Sequence, residues 1–131
     1  MRKFEKMVYE FLLGRGDRVY FESVSFDIKT KVKGQVCLEC GCPMYRIAKY
    51  TPDFSIGSLV IEVKGGSFKP TDQARYKRFV KQHTDQPYVM VFRSNVRLRN
   101  LRGHPTVREW GVKNNIDVVI GVKELEDYLD A

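Results

Sequence analysis

The stretch Tyr50-Thr51-Pro52-Asp53-Phe54, followed after a short turn by Leu59-Val60-Ile61-Glu62-Val63-Lys64-Gly65, places one carboxylate, then a second carboxylate and a lysine, at the ends of two adjacent predicted strands. Side chains of a strand repeat every two residues, so Glu62 and Lys64 share one face while Ile61 and Val63 turn into the core. Asp53 is expected to meet them across the hairpin. Two carboxylates that close repel each other unless a cation sits between them, the usual ground for a Mg²⁺ or Mn²⁺ site of hard oxygen ligands. The lysine beside them is expected to orient or deprotonate a water. The plainer alternative is an edge hairpin with a surface Glu62–Lys64 salt bridge, worth well under ~1 kcal/mol.

Working outward from this hairpin, Phe4, Met7, Val8, Phe11 and Leu12 recur at helical spacing and predict a first helix ending at Gly14. Glu5 near its start would at least complement the helix dipole. Arg18 to Ile28 reads as a long strand with a phase slip, hence a bulge or bend, at Glu22-Ser23. Lys29 to Lys49 reads as one long irregular connector, basic through Lys29, Lys31, Lys33, Arg46 and Lys49. Beyond the hairpin, Pro70 to about His83 predicts a second helix, and Tyr88 to Phe92 a buried central strand. Ser94 to His104, dense in arginine, reads as a loop or short helix. Thr106 caps a helix carrying Trp110, Val118 to Ile120 form a last strand, and Lys123 to Leu129 a terminal helix. Alternating strands and helices predict an α/β core with a mixed sheet flanked by helices.

The chain has 131 residues and a formal net charge of +7, with a pI near 9.4. That length is read as a single domain over 1–131 that can bury a core without disulfides. The basic balance favours a polyanionic partner. No apolar stretch approaches the ~20 residues of a membrane span, and Met1-Arg2-Lys3-Phe4-Glu5 lacks the apolar core of a signal peptide, so an intracellular protein is expected. Cys37, Cys40 and Cys42 cluster within six residues. A loop of free thiols is the preferred reading. The alternative is a zinc knuckle held by Cys37, Cys40 and Cys42, its fourth ligand drawn from His83, His104 or a second subunit.

Pro52-Asp53 and Glu62-Val63-Lys64 fill the slots of the PD-(D/E)-x-K nuclease superfamily, and further landmarks point more narrowly. With the opening Phe4-Glu5-Lys6 helix, the Gln82-His83 helix end, and Gly103-His104-Pro105-Thr106 before a helix reaching Asn114-Asn115-Ile116, the chain resembles the phage-type endonuclease I family of Holliday-junction resolvases. The resemblance covers nearly the whole length. It implies a restriction-endonuclease-like core in an intertwined homodimer, joined by a β-bridge, in the cytoplasm of a phage-infected or prophage-bearing bacterial cell. It places the catalytic positions on Glu5, Asp53, Glu62 and Lys64, with Glu5 completing the site of the other subunit. The segment from Ile28 to Lys49 is longer than the family's bridge and carries the cysteines.

The expected activity is cleavage of branched DNA to 5′-phosphate and 3′-hydroxyl ends. Asp53, Glu62 and the backbone carbonyl of Val63 would hold a metal, Glu5 would contribute to a second, and Lys64 would position the attacking water. Lys69, Arg75, Arg78, Arg93, Arg97, Arg99 and Arg102 are the cations expected to grip phosphates, with no membrane involved. An endonuclease of ordinary duplex and a non-catalytic DNA-binding module with a zinc knuckle are the alternatives.

Overall fold

Tyr88-Val89-Met90-Val91-Phe92 is apolar at every position, and such a strand is stable only when both of its faces are covered. The computed structural model describes residues 1–131 and shows how that cover is built. In chain order the elements are α1 (Lys3–Gly14), β1 (Tyr20–Phe21), β2 (Phe26–Val36), β3 (Pro43–Tyr50), β4 (Phe54–Ile56), β5 (Leu59–Lys64), α2 (Pro70–Gln82), β6 (Tyr88–Phe92), α3 (Val107–Lys113), β7 (Asp117–Ile120) and α4 (Gly121–Asp130). Five strands form one mixed sheet in the order β1-β4-β5-β6-β7. Strands β5, β6 and β7 run parallel, and β4 and β1 add antiparallel. The fold is α/β with four helices, and none of them is long and apolar enough to cross a membrane.

Alternation along β6 divides the core. Val89 and Val91 join Ile61 and Val63 of β5 under α1 and α4, where Phe4, Val8, Leu12 and Leu125 are buried. Tyr88, Met90 and Phe92 face the other way, against Tyr76 and Phe79 of α2 and Trp110 of α3. Glu62 lies on this second face, so both faces of β5 are covered, where the hairpin reading had only Ile61 and Val63 in the core. α3 starts at a full capping box, in which the Thr106 hydroxyl accepts from the Glu109 N–H and the Glu109 carboxylate accepts from the Thr106 N–H. At the end of α1 the left-handed residue is Gly16, not Gly14, which is still helical.

Two parts of the sequence reading are corrected. The expected long strand from Arg18 is broken where the phase slip stood: Glu22 adopts φ 48° and donates its N–H to the Asp53 carbonyl, separating β1 from β2. The irregular connector from Lys29 to Lys49 is instead a two-stranded antiparallel ribbon, β2 with β3, closed by the turn that carries the cysteines. Tyr50 therefore ends β3 in the ribbon, while β4 begins only at Phe54 in the main sheet. The ribbon is rooted on α2. Gln82 donates to the Lys29 carbonyl and accepts the Lys29 N–H, and His83 Nε2 lies 2.8 Å from the Asp27 carbonyl oxygen.

Candidate active site

Asp53 stands in the bend before β4, opposite the carboxyl end of β5. Its Oδ2 accepts the Val63 backbone N–H at 2.8 Å, and its carboxylate lies close enough to Glu62, one of the two side chains it was expected to meet, to raise that group's pKa. In a strand the N–H and C=O of one residue face the same neighbour, so the Val63 carbonyl also lies on the Asp53 side. Consistently, the Lys64 carbonyl faces the opposite side, where it accepts the Arg93 N–H. Glu62 is only 6 % exposed. Its Oε1 accepts the Tyr50 hydroxyl at 2.6 Å, and that hydroxyl in turn lies 2.9 Å from the Tyr88 hydroxyl. Since the Tyr50 proton goes to Glu62, Tyr88 donates to Tyr50, and the three groups form a directed chain. Burial, and after it the neighbouring Asp53 carboxylate, pushes the Glu62 carboxyl well above its ordinary pKa, while the Tyr50 hydrogen bond and Lys64 oppose the shift.

Glu5 reaches the same cleft from its own chain. Burial and the Asp53 charge raise its pKa, and a backbone hydrogen bond from Arg2 counters them. The approach depends on Gly65, where an added Cβ would stand 3.0 Å from the Phe4 Cβ. The glycine that closes the Glu62-Val63-Lys64-Gly65 motif thus admits the start of α1 to the end of β5. Lys64 lines the cleft too, with Nζ 4.0 Å from Asp72 Oδ2 and 5.1 Å from the Tyr76 ring centroid.

Glu5, Asp53, Glu62 and Lys64 therefore line one open cleft of about 670 Å³. The starts of α1 and α2 open onto it, neither with a side-chain cap, so their first-turn N–H groups favour an anion there. Arg2, Lys3, Lys69 and Arg93 add exposed positive charge. No three His, Cys, Asp or Glu side chains form a closed metal-binding set. Mg²⁺ does not need one, because one or two carboxylates suffice when waters and substrate phosphates complete its octahedron. Adjacent Asp53 and Glu62, hard oxygen donors whose charges oppose each other, fit that requirement.

The cations expected to bind DNA separate into groups. Lys69 and Arg93 line the cleft, whereas Arg75, Arg78, Arg97, Arg99 and Arg102 do not. Arg75 is engaged elsewhere: its guanidinium lies over the Tyr76 and Tyr50 rings, donates to the Tyr76 hydroxyl at 3.0 Å and lies 3.7 Å from Asp72. Arg97 donates to the His104 carbonyl, while Arg78, Arg99 and Arg102 are exposed. The arginine-rich segment is no short helix. Leu98 is buried beneath it, Arg97 bridges Thr106, and Asn100 exchanges hydrogen bonds with Gln73 of α2.

The cysteines sit apart from this cleft, at the turn of the ribbon. Cys37 N–H donates to the Cys42 carbonyl and Gly41 N–H to the Cys37 carbonyl, each at 2.8 Å, and the Cys42 N–H and thiol add contacts to the Cys40 sulfur and carbonyl. Hydrogen bonds, first from Cys42, lower the Cys40 thiol pKa. Of the fourth zinc ligands considered for them, neither histidine of this chain reaches the turn. His83 is held at the ribbon's root beside Asp27, roughly 30 Å along the strand from Cys37 at about 3.3 Å per residue. His104 occupies the Leu101 to His104 turn instead.

Sequence reasoning missed Tyr50, Tyr88 and Asp72. The signals were faint: Tyr50 stands in the quoted stretch, and Tyr88 brings the one hydroxyl to an otherwise wholly apolar strand. Neither a scan of protein-family models nor a search of curated proteins finds a match for this chain.

Proposed function

We propose that this protein is a divalent-metal-dependent DNA endonuclease that cuts branched DNA, four-way junctions above all. The observation carrying this reading is the convergence of Glu5, Asp53, Glu62 and Lys64 on one cleft, with a buried carboxyl held against a second one. Asp53, Glu62 and the Val63 carbonyl would hold Mg²⁺ or Mn²⁺, with Glu5 near a second position. A cation bound there would polarise the scissile phosphate and offset its developing charge. The chain's own groups supply the rest. The Val63 N–H fixes Asp53 and the Tyr50 hydroxyl fixes Glu62, so both carboxylates are oriented before substrate arrives. Lys64 is held by no short hydrogen bond, only by a 4.0 Å pair to Asp72 and the face of the Tyr76 ring, which leaves its ammonium able to turn and hydrogen-bond the attacking water or the phosphate. Arg2, Lys3, Lys69 and Arg93, with the two helix starts, hold the flanking phosphates.

Each cleft would cut one strand, so resolving a junction calls for two copies related by a two-fold axis. The selectivity for branched over linear DNA, the restriction-endonuclease-like ancestry of the core and the pairing of subunits are supported by the resemblance in the order of sequence landmarks. The test is cleavage of a four-way junction and of a matched linear duplex, with and without Mg²⁺. Paired, Mg²⁺-dependent nicks confined to the junction are expected. Equal cutting of the linear duplex would replace the junction reading with that of a duplex endonuclease, and no cutting of either would remove the nuclease reading.

A further inference from the structure

The ribbon is a second cationic surface, built apart from the cleft. Its register pairs Asp27 with Lys49, Lys29 with Ile47 and Lys31 with Tyr45, so these residues share one face. The register shifts between Lys31 and Val36, but the exposed side of β2 still alternates through Lys33. The opposite face carries Phe26, Ile28 and Tyr50, and at the root it packs on Phe79 of α2. The face with the lysines is open: Lys29, Lys31, Lys33 and Lys49 are exposed, and Tyr45 and Ile47 are each 58 % exposed. Of these lysines only Lys49 has an acidic partner, Asp27. Lys29, Lys31 and Lys33 thus form a row of unpaired charges at every second residue, interleaved across the ribbon with Ile47 and Tyr45.

We infer that this face of the ribbon is a second DNA-binding surface, an arm that lies along the duplex next to the cut site and grips its phosphates. The inference rests on the nuclease reading of the cleft and adds where the rest of the substrate goes. Complementary charge selects a polyanion, and a two-stranded ribbon has the width that a major groove admits. The root is fixed in relation to the chemistry. Tyr50, the last residue of β3, donates to Glu62, and Asp53 follows only three residues later. From Tyr50 to Pro43 the strand extends roughly 23 Å at about 3.3 Å per residue, near seven steps of a DNA strand at ~3.4 Å each. An arm of that length, hinged on two residues of the cleft, contacts the duplex beyond the phosphate being cut.

The experiment measures binding of a four-way junction in chelator across a salt series, and single-turnover cleavage in Mg²⁺ at saturating protein. It compares the wild type with Lys29→Gln/Lys31→Gln/Lys33→Gln and with the charge-keeping Lys29→Arg/Lys31→Arg/Lys33→Arg. Each phosphate contact contributes about 0.9 to the slope of log affinity against log salt. The glutamine variant is expected to show a slope shallower by roughly 2 to 3 with cleavage unchanged within about twofold, and the arginine variant a wild-type slope. A glutamine variant with the wild-type slope overturns the arm. So does an unchanged slope accompanied by lost self-association in sedimentation, which would make the face a contact between copies. A wild type that binds with a steep salt dependence but never cuts removes the nuclease reading while the slope comparison still decides the arm. A wild type that binds no DNA sinks both.

Discussion

The Glu62 carboxyl, wedged between the Tyr50 hydroxyl and Asp53, has its pKa pushed well above the ordinary value, by burial first and then by the Asp53 carboxylate. A carboxyl whose pKa is higher folded than unfolded adds stability below its ordinary value, here 4.5, and loses it as pH rises through the raised one. Glu5 has the same sign. In chelator, the share of stability owed to these two groups is therefore expected to fall as pH climbs from about 4.5 toward neutrality, and added Mg²⁺ to restore it. Glu62→Gln isolates the effect. Its amide oxygen can still accept from Tyr50, and its N–H₂ can donate to Asp53 where the carboxylate repelled it. At pH 7 without metal the variant should be more stable by about 1–3 kcal/mol, while cleavage falls on the order of a hundredfold or more. Melting curves from pH 4 to 8 check this. A variant that melts below the wild type at pH 7 would refute the account of Glu62 as a group strained for function.

At the scale of elements, the cleft exists because α1 can close on the end of β5. Ala at position 65 would press its Cβ on Phe4, whereas at Gly66 nothing lies within 4 Å. Gly65→Ala is expected to shift the start of α1 by a few tenths of an ångström and to cut the cleavage rate about tenfold, with Gly66→Ala within about twofold. Equal rates for the two variants would detach Glu5 from the chemistry. A second close approach tests the fold rather than the site. A Cβ on Gly111 would stand 2.4 Å from Val118 Cγ2 and 2.8 Å from the Ile116 carbonyl, so Gly111→Ala should lose about 1–3 kcal/mol in denaturant unfolding. The element hardest to read was the ribbon, which has a buried face only at its root. Beyond Val32 it is exposed on both sides, so its lysines looked like a polar connector, although Lys29, Lys31 and Lys33 already alternate. β6, buried on both sides, has the bounds expected of it.

At the scale of the molecule, Glu5 lines one cleft with Asp53, Glu62 and Lys64 of the same chain, the resemblance implies that it completes a partner's cleft, and mixing subunits separates the two. Subunits bearing Glu5→Ala mixed with subunits bearing Asp53→Ala are therefore expected to stay inactive after exchange, since every cleft then lacks one carboxylate. Single-strand nicking of a junction by the exchanged mixture would show that α1 crosses to the neighbouring copy. What the sequence determined by itself was local and periodic. Strand alternation put Glu62 beside Lys64, the hairpin brought Asp53 toward that pair, and the apolar run at Tyr88 to Phe92 called for a sheet covered on both faces. Tertiary structure alone decided what depends on distant segments meeting. It set the Tyr88–Tyr50–Glu62 chain across the ribbon, β5 and β6, drew Arg75 onto two tyrosine rings, and brought Glu5 over Gly65. The reason is physical: a period of two or 3.6 residues specifies which face a side chain takes, and only packing specifies what that face meets.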